Sequence, residues 1–294
     1  MMLQEYMEEQ KKHIDARLKE LLCTDVKAFE TLYESMNYSL NGGGKRIRPI
    51  LMLAVIEMLG KNPRPYLDMA CALECVHTYS LIHDDLPAMD NDDYRRGNLT
   101  NHKVYGEGMA ILAGDGLLTY AFELMASQKQ IESSKIATII STFAQAAGPA
   151  GMVGGQAFDL ESEGNMEIGI DGLKLLHKAK TGVIFKTAID IAAILGDATQ
   201  EERNALDDYA LYMGLTFQIT DDILDVVGDS HVLGKPVGSD EKNKKATYAT
   251  IFSLEEARRL ARQAAESASA SLKPFGDRAR ILKELVEYML VRVN

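Results

Sequence analysis

The 294-residue chain has no tryptophan, seven prolines, three cysteines and no basic surplus, with 43 Asp and Glu against 32 Lys and Arg, a formal charge of −11. Three cysteines, Cys23, Cys71 and Cys75, are too few and odd in number for a disulfide framework. Cys71 and Cys75, one helical turn apart in an apolar stretch, read as buried thiols rather than zinc ligands. The acidic balance excludes a general nucleic-acid binder, because neutralising phosphates takes a basic face. Apolar runs such as 189–195 stop short of the ~20 residues of a membrane span, and the first twenty residues carry acids and bases where a signal peptide needs an unbroken apolar stretch. We therefore expect a cytoplasmic, reducing-compartment protein with no membrane span, whose anionic ligands, if any, are met by local basic clusters.

What is present is helix-forming sequence. No proline occurs among the 86 residues 150–235, and apolar residues recur at three-and-four spacing, as at Leu173, Leu176, Ile184, Ala188 and Ile191. This pattern predicts helices at about 2–22, 25–39, 47–60, 65–85, 107–128, 134–161, 169–195, 199–227, 253–270 and 277–292, with no convincing strand. At this length a folded chain buries roughly three-quarters of its unfolded surface, and no linker suggests a boundary, so one large all-α domain over 1–294 is expected. Helices 67–82 and 183–195 are apolar on most of their circumference, which places them in the middle of a bundle, their ends defining the floor and mouth of a cavity.

Two acidic clusters follow apolar helical segments. Asp84, Asp85, Asp90, Asp92 and Asp93 put five carboxylates into ten residues, and Asp221, Asp222 and Asp225 close a second segment with the same opening Asp-Asp. Residues four apart on a helix lie about 40° apart around its axis, so Asp221 and Asp225 share a face that Asp222 borders. Asp84 and Asp90, six apart, would diverge on a straight helix, but Pro87 disfavours helical geometry at Leu86 and lets the segment bend back. One such run alone is usually a solvated face; two that end apolar helices point to a shared site for a hard divalent cation.

A cationic complement lies elsewhere in the chain. Gly42-Gly43-Gly44-Lys45-Arg46-Ile47-Arg48 places three cations after a glycine run at a helix start, where free N–H groups favour anions. Arg95-Arg96 follows the first acidic cluster, Lys178 and Lys180-Thr181 form a polar patch, and Lys235, Lys244 and Lys245 follow the second. Arginine's fork matches phosphate oxygens in pairs, and lysine supplies a mobile point charge. The glycine run is not a nucleotide P-loop, since it lacks the outer glycine and the Ser/Thr after its lysine.

Taken in order, Gly-Gly-Lys-Arg-x-Arg-Pro at 43–49, Asp-Asp-x-x-x-x-Asp at 84–90 with Arg95-Arg96, Gly154-Gly155-Gln156, Lys180-Thr181 and Phe-Gln-x-x-Asp-Asp-x-x-Asp at 217–225 resemble the trans-isoprenyl diphosphate synthases. The resemblance is strongest to the bacterial farnesyl diphosphate synthases, whose first acidic motif also carries two extra residues. It implies a homodimer of the isoprenoid synthase fold, a large antiparallel helical bundle around a deep central cavity. It implies three Mg2+ ions on Asp84, Asp90 and Asp221, with Asp85, Asp222 and Asp225 nearby, holding dimethylallyl or geranyl diphosphate. Arg95, Lys180, Thr181, Gln218, Lys235 and Lys245 match positions around that allylic diphosphate, the first four with catalytic roles. Lys45, Arg48, His77 and Arg96 match the metal-free isopentenyl diphosphate site, although His77 alone would read as a core histidine. The reaction implied is head-to-tail condensation: diphosphate departs, the isopentenyl double bond attacks the allylic cation in a water-excluding cavity, and a proton is lost. Residues 228–248, with Gly228, Gly234 and Gly238, are expected to order over bound substrate.

Product length should be set on the helix ending at Asp84. Tyr79 lies about 7.5 Å down its axis and Ser80 one turn below Asp84, so a large ring can close the floor, which in the resembled family goes with fifteen carbons rather than twenty. Two other readings account for less of the sequence. His77, His83-Asp84 and a distant Asp fit a metal-dependent phosphohydrolase loosely but leave the second acidic motif unused, and a non-catalytic helical partner subunit would not need both motifs complete.

Overall fold

The computed structural model describes residues 2–162, 169–227 and 247–291. Among these, all regular structure is helical except one short hairpin, and the chain gathers into two compact units. Unit 1 is Met1–Leu53 with Asn62–Ile140; unit 2 is Ala54–Lys61 with Ser141–Asn294.

Unit 1 is built on α4 (Leu67–Asp84), which begins after the Pro63-Arg64-Pro65 turn and buries every residue from Met69 to Val76. Around it lie α1 (Leu3–Leu21), α2 (Glu30–Asn41) and α6 (Glu107–Ala126). Ala110, Ala113, Gly114 and Ala121 are buried on α6, small residues that let its backbone approach α4. Arg46 precedes α3 (Ile47–Met58) with a left-handed φ of 53°. It is buried, and its guanidinium joins three helices: Nε donates to Asp15 at 2.8 Å, Nη1 to Glu74 at 2.6 Å and Nη2 to the Leu40 carbonyl at 2.7 Å. Removing one partner of such a buried pair costs about 3–5 kcal/mol. One of the three cations after the glycine run is thus committed to the fold.

The stretch expected to lack strands holds β1 (Tyr94–Arg95) and β2 (Asn98–Leu99), antiparallel, joined by Arg96 (φ 54°) and Gly97 (φ 80°). Two positive φ values in a two-residue loop match the twist of a type I′ hairpin. Two-residue strands are too short to show alternation, which is why the pattern missed them. Tyr38 Oη donates to the Leu99 carbonyl at 2.8 Å, and Asn101, at the start of α5 (Asn101–Tyr105), exchanges hydrogen bonds with Ser35 and Ser39, fixing the hairpin to α2.

The helix expected at 134–161 is two, α7 (Ser133–Ala147) and α8 (Met152–Ser162), because Pro149 removes a donor between Gly148 and Gly151. By length and composition Glu107–Ala126 and Ser133–Ser162 could each cross a bilayer. The first is packed on α4, and the second contains this break.

Unit 2 is organised by α11 (Gln200–Val227), 28 residues and about 42 Å long. The stripe Ala257, Ala261, Ala264, Ala265 and Ala268 on α13 (Leu254–Ser271), capped by Ser253 on Glu256 N at 3.2 Å, is buried and packs against α11. Fully buried Tyr209 on α11 donates to the Leu282 carbonyl of α14 (Arg280–Val291) at 3.0 Å, so its hydroxyl is satisfied. The helix expected at 169–195 is α9 (Gly169–His177) and α10 (Val183–Leu195), joined by a π-helical turn, Lys178–Gly182. A four-residue helix, α12 (Tyr248–Ile251), precedes α13. The two strongly apolar helices belong to different units: α4 is central in unit 1, and α10, with nine buried residues, lies in unit 2.

Candidate functional site

In unit 1 the acidic motif straddles the end of α4. The helix stops at Asp84, the Asp90 N–H donates to the Asp84 carbonyl at 2.9 Å, and Asn91, at φ 53°, closes the turn onto Leu86 at 3.1 Å. The bend after Pro87 therefore returns the chain to the helix end, as the six-residue spacing requires. Asp85 is buried, and Arg95 grips it, Nε lying 2.7 and 2.9 Å from its two oxygens and Nη2 2.6 Å from Oδ1. Burial pushes the Asp85 carboxyl up to about 6 against the pull of Arg95.

Arg96, the next residue, points elsewhere. It donates to the Gly43 carbonyl, and its Nη2 lies 3.5 Å from His77 Nε2. A Cβ on Gly44, at φ 122°, would sit 2.7 Å from Arg96 Nη1, so glycine is what lets the guanidinium lie against the loop. Arg48 belongs to the same cluster; Lys45, beside the loop, is exposed. Burial, and then the fields of Arg48, Arg96, Arg95 and Arg46, hold His77 well below its ordinary pKa, so the imidazole is neutral. The hairpin thus sends two consecutive arginines to two places, Arg95 to the acidic motif and Arg96 to the glycine run.

Farther up α4, Tyr79 is 7% exposed and meets the His83 ring edge-on, centroids 5.1 Å apart at 82°. Ser80 Oγ donates to the His77 carbonyl at 2.9 Å.

In unit 2, Lys180 and Thr181 lie on the π turn, a local insertion common at functional sites. Lys180 Nζ donates to the buried Asp159 Oδ2 at 2.6 Å. Gly155 supports the same turn, since a Cβ there would fall 2.5 Å from Lys180 N. That contact explains the glycine of Gly154-Gly155-Gln156. Asp159 was missed by the sequence reading; its signal was the position one helical turn after Gln156, facing the same way.

On α11, Gln218, Asp222 and Asp225 are buried and Asp221 is exposed. Phe217 packs on Phe185, centroids 4.8 Å apart. The Tyr248 N–H donates to Asp222 Oδ2 at 2.7 Å, and His177 Nε2 lies 3.8 Å from Oδ1; burial pushes His177 down to about 4. Lys235, Lys245 and nearly all of the segment expected to order over substrate lie outside the described residues. Cys71 and Cys75 are buried, and burial raises both thiols; Cys23 is exposed.

Carboxylate oxygens dominate both motifs, a donor set suited to a hard divalent cation. Among the described residues no group of three or more His, Cys, Asp or Glu side chains is gathered so as to hold a metal ion by itself. Magnesium does not require one, since it binds through one or two carboxylates, waters and substrate phosphates, and the residues fit an ion that arrives with its substrate.

Comparison with known proteins agrees with this chemistry. The chain matches the family model "Polyprenyl synthetase" over residues 29–289. It is 48% identical to a farnesyl diphosphate synthase of Geobacillus stearothermophilus over 254 residues, 86% of this chain and 85% of that one. It is 42% identical to a geranylgeranyl diphosphate synthase of Cyanophora paradoxa, covering 98% and 96%. Its fold superposes on an FPP/GFPP synthase structure from Zymomonas mobilis with a TM-score of 0.88 and 35% identity, covering 98% of each chain. The family-model match over residues 29–289, together with relatives 42% and 48% identical over most of their length, places the chain in the polyprenyl synthetase family.

Proposed function

We propose that this chain is a magnesium-dependent prenyltransferase that condenses dimethylallyl or geranyl diphosphate with isopentenyl diphosphate, head to tail, to give farnesyl diphosphate and diphosphate. The observation that carries the reading is the hairpin that directs Arg95 and Arg96 to separate partners. Two substrates bear the same diphosphate group, and only one of them must ionise, so the protein needs two anion sites of different character. Arg95 serves the carboxylate-rich one and Arg96 the one made of glycine backbone, Lys45, Arg48 and neutral His77.

Asp84, Asp90 and Asp221 would hold Mg2+, three ions in this reading, with Asp85, Asp222 and Asp225 adjoining; bound there, the metal neutralises charge on the leaving diphosphate. Arg95, Lys180, Thr181, Gln218, Lys235 and Lys245 orient that diphosphate and stabilise it as it departs. Lys45, Arg48, His77 and Arg96 hold the second substrate with its double bond toward the cation. The reading takes 1–294 as one functional domain, and the family match over 29–289 supports it. A cytoplasmic homodimer belongs to the same reading, with exposed Ile111 and Leu112 on α6 offering apolar surface for the partner.

Tyr79, nearly buried near the end of α4, favours fifteen carbons; the Cyanophora relative keeps twenty as the alternative. Incubation of the purified chain with dimethylallyl and isopentenyl diphosphates and Mg2+ should release diphosphate and give a fifteen-carbon product, and Tyr79→Ala should lengthen it. Absence of condensation overturns the reaction; an unchanged length in the variant overturns the floor.

A further inference from the structure

His83 is not among the residues assigned above to diphosphate, metal or chain-length floor, yet three neighbours capture its ring. One helical turn after Tyr79, it meets that ring edge-on at 5.1 Å and 82°. Its Nε2 lies 3.0 Å from the Ile111 carbonyl on α6. A carbonyl can only accept, so Nε2 carries the proton and the tautomer is fixed. On the same helix, a Cβ added to Gly114 would overlap the imidazole, so this glycine is what makes room for it. The imidazole is therefore wedged between the α6 backbone and the Tyr79 ring, with Asp115 Oδ1 3.9 Å from Nε2 at the more exposed edge.

We propose that His83 is a specificity-determining positioning residue: by bracing Tyr79 against the backbone of α6, it fixes the depth at which the growing prenyl tail stops. The inference rests on the reading of Tyr79 as the cavity floor. An aromatic ring blocks a channel only while something prevents it from swinging aside. Tyr79 has two freely rotatable side-chain bonds, and its edge-on partner opposes that swing. Without His83 the ring gains room beside Gly114 and the floor yields.

The test is product length rather than rate, because a merely structural defect lowers turnover without changing how many isopentenyl units are added. With dimethylallyl and isopentenyl diphosphates and Mg2+, His83→Ala should raise the twenty-carbon fraction roughly fivefold, the scale of one lost aromatic contact. His83→Phe, which keeps a ring beside Tyr79, should restore the fifteen-carbon product. In Gly114→Ala the new methyl meets the far end of the imidazole, which can swing away without unfolding the helix, so this variant carries the test if His83→Ala does not fold; a product distribution shifted from the parent is expected. Parental distributions in His83→Ala or, where that does not fold, in Gly114→Ala, or failure of His83→Phe to restore the parental length, overturn the inference. The layers separate cleanly. An inactive parent refutes the prenyltransferase reading and an unmoved Tyr79→Ala product refutes the floor; lengthening in Tyr79→Ala but not in His83→Ala refutes the brace alone.

Discussion

The two units build the same group of carboxylates in different ways. In unit 2 the motif lies within α11, which runs on to Val227, so helical periodicity alone brings Asp221 and Asp225 to one side. In unit 1 the motif is two residues longer, α4 stops at its first aspartate, and a turn closed by the Asp90 N–H on the Asp84 carbonyl does the same work. Their cations follow a common rule. Arg95 is held by buried Asp85 and Lys180 by buried Asp159, so each of these two cations is aimed by a carboxylate of its own unit. A helix can tolerate insertion into an acidic motif if it ends there, and a long flexible cation needs an anchor wherever it stands.

The largest expected effect tests whether the two motifs are equivalent. Asp84→Ala and Asp221→Ala should each lower kcat by about 10²–10³, the cost of losing one preorganised electrostatic element, as measured by diphosphate release. A loss confined to one motif breaks the equivalence.

Next in size is the aiming of the cations. Asp85→Asn and Asp159→Asn keep the shape and one acceptor but remove the charge, and each should reduce kcat about tenfold, the scale of a charge-assisted hydrogen bond, with a smaller change in KM. If Asp159→Asn is silent while Asp85→Asn is not, only unit 1 anchors its cation.

The smallest effect concerns pH, and in unit 1 it centres on His77. His77 is held below the ordinary value of 6.5 by burial and four arginines, so the folded protein keeps it neutral where the unfolded chain protonates it. Its contribution to stability is complete above 6.5 and lost as pH falls through the folded value, because unfolding then takes up a proton. Thermal melting between about pH 7 and 5 should fall more steeply for the parent than for His77→Asn. Parallel curves would show that the imidazole is not shielded from protonation.

Much of this was legible before any coordinates. Apolar periodicity and Gly/Pro punctuation located most helices, and the two acidic motifs and their cations were visible as composition. The misses have local causes. The hairpin is too short for alternation, and its one cue was a glycine after Arg96. The π turn adds a residue inside a helix without altering composition, so nothing at Lys178–Gly182 announces it. The break between α7 and α8 was signalled by Pro149 between two glycines, which the surrounding apolar pattern outweighed. Charge counting also could not divide labour among neighbours: Arg46 is buried for the fold, while Lys45 and Arg48 on either side retain exposure.

Arg95 ends β1 while Arg96 stands in the loop at a left-handed φ of 54°, so the turn at Arg96-Gly97 sends the two guanidinium groups different ways. Lengthening that loop by one residue would change its turn type and re-aim Arg96 while leaving every functional group in the chain. The parting of two adjacent guanidinium groups is therefore written as much in the backbone of a tiny ribbon as in the identity of any side chain.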